Sequence, residues 1–173
     1  MLYVTGYVLE PPLRDTVLGA VRAAKGAGNI VALDLSDPGV VQRQRDWLRS
    51  FVKEHVDIVF ANEHEAEAFT GKPPLQALRE MGAMTRVAIV KIGEKGCYIH
   101  RDRTIHVPAH LVTAVDTTGA GDAFAAGFLH AWLLGKPLET CGDLGSLLAS
   151  RVIQQVGARL AALPENEIRA LLG

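Results

Sequence analysis

The stretch AVDTTGAGDAFAAG, residues 114–127, holds three glycines, two threonines and two aspartates. It lies between an extended-looking run and a long apolar helical pattern. Its centre, Gly119-Ala120-Gly121-Asp122, sits where that helix should begin. A helix N-terminus carries unpaired N–H groups and a partial positive charge. Glycines let such a backbone approach an anion with no Cβ in the way. The amides of residues 119–121 are therefore placed to face a phosphate or a developing negative charge. Asp122 stands beside them, and a carboxylate next to an anion site needs a reason to be there. General-base chemistry is one such reason: the carboxylate takes the proton from a hydroxyl that attacks phosphorus. The blander reading is a flexible turn with an acid in the first helical turn, and for GxGD alone it is the stronger one.

Composition narrows the field around this loop. The chain has 173 residues, 49% hydrophobic and 21% charged, with a formal net charge of −1. That is a globular balance, with enough length for one domain and a sizeable core. No basic block or stripe stands out, which argues against a nucleic-acid partner. The apolar runs are too short for a membrane span, and no basic leader precedes LYVTGYVL. Cys97 and Cys141 fit no zinc spacing and read as reduced, buried thiols. The expectation is a cytoplasmic protein.

Outward from the loop, strand and helix patterns alternate. Strands are expected at 2–9, 29–35, 56–61 and 85–93, with shorter ones at 97–102 and 104–109. Helices are expected at 13–28, 40–55, 62–71, 73–82, 118–135, 139–156 and 164–172. Near-continuous apolar strands between helices predict a mostly parallel sheet covered on both faces. In such sheets ligands sit at the carboxyl ends of the strands, where the helices begin. Two more segments lie at such positions. ANEHEAEAF (61–69) puts Asn62 and Glu65 three apart at a helix start, where they either cap the helix or hold hydrated Mg²⁺. VKIGEKGCYI (90–99) is a strand, a Gly-x-x-Gly turn and a strand, an ordinary hairpin when taken alone. A generic dinucleotide binder lacks support, because no G-x-G-x-x-G follows the first strand.

Taken whole, the run from Asp116 to Leu129 closely resembles the C-terminal signature of the PfkB/ribokinase family of carbohydrate and nucleoside kinases. VALDLSDPGVVQRQRDWL and VDIVFANEHEAEAF look like its adenosine-kinase-like branch. The resemblance implies a three-layer α/β ribokinase-like fold, here a single domain over residues 1–173. It implies ATP-dependent phosphoryl transfer to a hydroxyl of a sugar or nucleoside. Asp122 would be the base, and Gly119, Ala120 and Gly121 would form the anion hole. Asn62 and Glu65 match the family's N-x-x-E motif, associated with magnesium and phosphate. Gly93 and Gly96 match the turn that lies against the nucleotide; Lys91 stands where many relatives have a small hydroxyl residue, and either contacts a phosphate or points to solvent. Thr118, Ser146, Ala149 and Gly157 fall on the same cofactor side. Some relatives also bind a monovalent cation through carbonyls near the Asp116 position.

The resemblance reaches only the C-terminal part of the family pattern. The N-terminal strands, the small lid sheet and the residues that grip the acceptor find no match. The expectation is an incomplete sheet that drives self-association or takes a partner. The competing reading is a non-catalytic nucleotide-binding module that pairs through that sheet.

Overall fold

The computed structural model describes all 173 residues. Its sheet has six strands in the order β1-β2-β3-β4-β5-β6, so spatial neighbours are also sequence neighbours. The strands are β1 Leu2–Thr5, β2 Val31–Asp34, β3 Ile58–Asn62, β4 Val87–Lys91, β5 Cys97–His100 and β6 Thr104–Val107. The helices are α1 Arg14–Gly26, α2 Pro38–Arg43, α3 Arg45–His55, α4 Glu63–Thr70, α5 Pro74–Gly82, α6 Ala120–Leu133, α7 Leu138–Val152 and α8 Glu165–Leu172. The chain gathers into two compact units: Met1–Lys91 with Tyr98–Thr104, and Ile92–Cys97 with Ile105–Gly173.

In the first unit β1 pairs with β2, β2 with β3 and β3 with β4, all parallel. Each parallel step needs a crossover, and the helices α1 to α5 supply them. β2 is buried along its whole length, and β3 and β4 are buried except at their last residues. This is why VALD, IVFA and VAIV are apolar runs rather than alternating ones.

Two elements depart from the sequence pattern. The strand expected at 2–9 stops at Thr5, and Gly6–Leu9 form a 3-10 turn. Gly6 passes so close to β2 that a Cβ there would lie 2.3 Å from the Leu35 carbonyl oxygen. The helix expected at 40–55 is two helices that break at Gln44. The Gln44 side chain accepts from Arg14 Nη2 at 2.8 Å, and its amide nitrogen is buried with no partner. α2 starts two residues earlier than the pattern suggested, because Asp37 caps it and Pro38 fills its first position.

In the second unit α6 and α7 pack backbone to backbone. A Cβ on Gly127 would lie 2.6 Å from the Leu144 carbonyl oxygen, and one on Gly145 would lie 2.8 Å from that of Phe124. Phe124 and Phe128 stack along α6 with ring centroids 6.3 Å apart. α8 is tied down by Arg151, which pairs with Glu167, and by Lys136, which donates to the Leu172 carbonyl.

Helix propensity alone predicts that Gly127→Ala gains about 0.8–1.0 kcal/mol. The contact with a backbone carbonyl, which cannot swing aside, reverses the sign. Urea unfolding should show a loss of about 1–3 kcal/mol for Gly127→Ala. Gly19→Ala on α1, where nothing lies within 4 Å, should gain about 0.4–1 kcal/mol. Equal shifts for the two variants would refute the close-packing argument.

Candidate functional site

In the second unit the chain enters α6 through Gly119, the N-cap residue, at φ 81°. A side chain there would be strained by the backbone alone. It would also collide, because a Cβ would lie 2.7 Å from the Cα of Ala158. Glycine is therefore required twice over. Ala120 and Gly121 open the helix, and Asp122 completes its first turn with an exposed side chain. No side chain caps this end; the Ala120 N–H donates to the Thr117 carbonyl at 3.2 Å, which leaves the Gly119 and Gly121 amides as the ones an anion could meet.

The turn before α6 is held by Asp116. One carboxylate oxygen accepts from the Thr118 N–H at 2.9 Å and from the Thr118 hydroxyl at 2.7 Å. The other accepts from the Gly157 N–H at 2.9 Å. Thr118 and Gly157 were both expected beside the cofactor, and this one carboxylate joins them. The Thr118 hydroxyl, the Gly157 amide and the Thr118 amide, in that order, hold the Asp116 carboxyl down at about 2. Ala149 is half-buried on α7. Ser146 on the same helix is 6% exposed. Its hydroxyl donates to the Pro108 carbonyl and accepts from the His110 N–H, both at 3.4 Å. Gly93 and Gly96 take φ 60° and 94° around a single 3-10 turn. A Cβ on Gly96 would fall 2.0 Å from the Val107 carbonyl oxygen.

In the first unit Asn62 ends β3 and pairs in register with Lys91 at the end of β4. Asn62 and Glu65 form a closed capping box. The Asn62 side chain accepts from the Glu65 N–H at 2.8 Å. The Glu65 carboxylate accepts from the Asn62 N–H at 2.8 Å and from its side-chain amide at 2.7 Å. Capping is thus realised, and each carboxylate oxygen keeps a further lone pair. Burial, then the charge of Asp34, pushes the Glu65 carboxyl up, while Lys91 and the Asn62 N–H pull it down.

Sequence reasoning missed Asp34. It ends β2, is 5% exposed, and holds Lys91 Nζ at 2.8 Å. Its second oxygen accepts from the Ser36 N–H at 2.8 Å. Ser36, at φ 70°, is the one non-glycine residue with a positive φ. The signal was an acid at the carboxyl end of an otherwise apolar strand, followed by Ser36 and Asp37.

No group of three or more His, Cys, Asp or Glu side chains is placed to cage a metal. A groove of about 820 Å³ in the first unit is lined by Gln42, Arg45, Trp47, His64 and Glu67 among others. It includes none of the residues expected from the sequence to carry the chemistry. No helix is long and apolar enough to cross a membrane.

Residues 1–166 match the pfkB family of carbohydrate kinases, and the chain belongs to that family. It is 36% identical to a nucleoside kinase of Methanothermobacter thermautotrophicus over 141 residues, which is 79% of this chain and 43% of that protein. Its structure is similar to that of adenosine kinase from Sinorhizobium meliloti, with a TM-score of 0.92 and 36% identity over 97% of this chain and 53% of that one. It is similar as well to a probable sugar kinase from Rhizobium etli, with a TM-score of 0.92, 38% identity, 98% of this chain and 53% of that one. The α/β ribokinase-like fold expected from the sequence is thereby borne out. The chain spans about half the length of these relatives.

The Asp116 network has a signature in acid. A carboxyl held down in the fold adds stability above its ordinary value, and loses it as pH falls through the folded value. The amide protons of Thr118 and Gly157 should therefore titrate by NMR with a midpoint near 2, and not near the ordinary 3.8. A midpoint at the ordinary value would mean that Asp116 does not hold these amides.

Proposed function

We propose that this chain carries the phosphoryl-transfer machinery of an ATP-dependent kinase whose acceptor is a hydroxyl of a sugar or nucleoside. One observation carries the reading. An uncapped helix N-terminus, entered through a left-handed glycine, has an exposed carboxylate in its first turn. Membership of a kinase family supports it. The relatives named above include adenosine, nucleoside and sugar kinases, which supports both acceptor classes.

In this reading Asp122 accepts the proton of the acceptor hydroxyl as its oxygen bonds to the γ-phosphorus. The bond from that phosphorus to the β,γ-bridging oxygen breaks, and ADP leaves. The N–H groups of Gly119 and Gly121 face the charge carried on the transferred group, while the Ala120 N–H closes the turn on the Thr117 carbonyl. Preorganised amides of this kind need no reorganisation when the charge develops. Asp116 fixes their approach through Thr118. Gly93, Gly96, Ala149 and Gly157 serve the nucleotide in the second unit, and Ser146 acts by holding residues 108–110.

In the first unit Asn62 and Glu65 would hold Mg²⁺ through its own water molecules. The donor set suits that ion, because one carboxylate and one amide cannot replace its hydration shell. Bound there, Mg²⁺ would neutralise phosphate charge. Lys91, steadied by Asp34, would add a second positive charge for a phosphate. β1 stands last in the strand order. We assign its outer edge to a strand from an upstream segment, a partner chain or a second copy, which would bring the acceptor-binding surface.

ADP release should be followed with Mg-ATP and adenosine, cytidine, ribose or fructose. Asp122→Asn should lower acceptor-dependent turnover by roughly 10²–10⁴-fold, the scale of a lost general base, with ATP affinity retained. Turnover unchanged by this substitution would remove Asp122 from the role.

A further inference from the structure

Residues 108–119 lead from β6 into the glycine turn without forming a helix or strand. Much of this segment is exposed, with Leu111 at 77% and Val115 at 63%. Its fixed points lie on α7 and the turn that follows. Near its end, the N–H groups of Val115 and Asp116 donate to the Ile153 carbonyl at 2.7 and 3.2 Å, and Asp116 takes the Gly157 amide. Near its start, Ser146 holds Pro108 and His110 by two long hydrogen bonds. One short contact joins them there: His110 Nε2 lies 2.6 Å from Asp143 Oδ1.

Asp143 and Ser146 are three residues apart and so share one face of α7. Of the contacts at the start of the segment, only the one between His110 and Asp143 includes an imidazole, the side-chain type that exchanges its proton in the physiological range. The charged groups that face His110 are Asp143 on α7 and Glu167 on α8. Glu167 is itself paired with Arg151. His110 and Asp143 are each 37% exposed at the side chain, so a proton reaches the pair without unfolding.

We propose that His110 and Asp143 form a proton-dependent latch that positions the segment entering the glycine turn. With the imidazole protonated, the ion pair pins the start of the segment to α7. With the proton lost, only a neutral hydrogen bond and the two long Ser146 contacts remain, and the segment opens more often. His110 and Asp143 are positioning residues, since they act through the backbone of 108–119. Where the latch bears on nucleotide affinity, it rests on the function proposed above.

The test is hydrogen exchange of the intact chain at pH 5.5 and 8.0, with rates corrected for the intrinsic effect of pH. Wild-type protection in 108–119 should fall about two- to five-fold at the higher pH, the range of a partly exposed ion pair. Peptides from β2 and β3 should not change. Asp143→Asn, which keeps an acceptor and removes the charge, should flatten the difference, and so should His110→Gln. A pH effect that survives both substitutions overturns the latch, as does its absence in the wild type. Mg-ATP titrations at both pH values separate the two claims. Affinity that follows protection supports the latch as a control on the turn. An intact latch with no ATP binding at either pH refutes the kinase reading and leaves the latch standing.

Discussion

The second unit depends on how closely α6 and α7 approach. Gly127 and Gly145 face backbone carbonyls of the opposite helix at distances where any Cβ would collide. Helices with larger residues at the contact stand 8–10 Å apart at their axes. Small residues remove that spacer, so carbonyls rather than side chains set the fit. The same closeness reaches the start of α6, where Gly119 meets Ala158 in the turn beyond α7. The amides at this helix start are thus placed by backbone packing behind them, and their precision does not rest on flexible side chains.

The first unit solves a different problem, that of charge at the carboxyl ends of buried strands. β2, β3 and β4 end on Asp34, Asn62 and Lys91. The Asp34–Lys91 pair is mostly withdrawn from water, with side chains 7% and 17% exposed. Burying such a pair gains little over apolar packing, but removing one member leaves a costly lone charge. Glu65 adds a further carboxyl, raised first by burial and then by Asp34. A carboxyl raised in the fold favours folding with its proton on, so its ionisation opposes folding as pH rises through the carboxylate range. The capping box offsets part of that cost, because its amides bond to the charged form. A cation or a set of bound phosphates would alter this balance directly.

The glycine run was legible because its requirement is local. A left-handed N-cap and a close backbone neighbour leave few residue types, and Gly119 shows it in the sequence itself. The strand centres were legible for a similar reason, as burial on both faces makes VALD, IVFA and VAIV continuously apolar. What escaped was decided by distant partners. Nothing near Gly6 in sequence says that the Leu35 carbonyl lies against it. The α2–α3 break at Gln44 leaves the apolar period almost intact, so periodicity ran through it. Asp34 looked like a strand terminus until Lys91, far along the chain, was placed beside it. Nothing near Ser146 in sequence says that its hydroxyl meets the backbone of Pro108 and His110.

Asn62 shows why capping and chemistry are hard to separate at such sites. A residue at the end of a parallel strand is already an N-cap for the next helix, and the same strand ends are where open α/β sheets bind ligands. A good cap offers an oxygen toward backbone amides. A good anchor for hydrated magnesium offers an oxygen toward water. Asn62 and Glu65 spend these bonds on each other, and the carboxylate oxygens of the buried Glu65 keep lone pairs beyond them. The box therefore fixes both side chains before any ion arrives, and a carboxylate held still loses less entropy on binding than one that must be ordered. The structural role would then be the precondition of the chemical one proposed for this pair, and the cap is compatible with it.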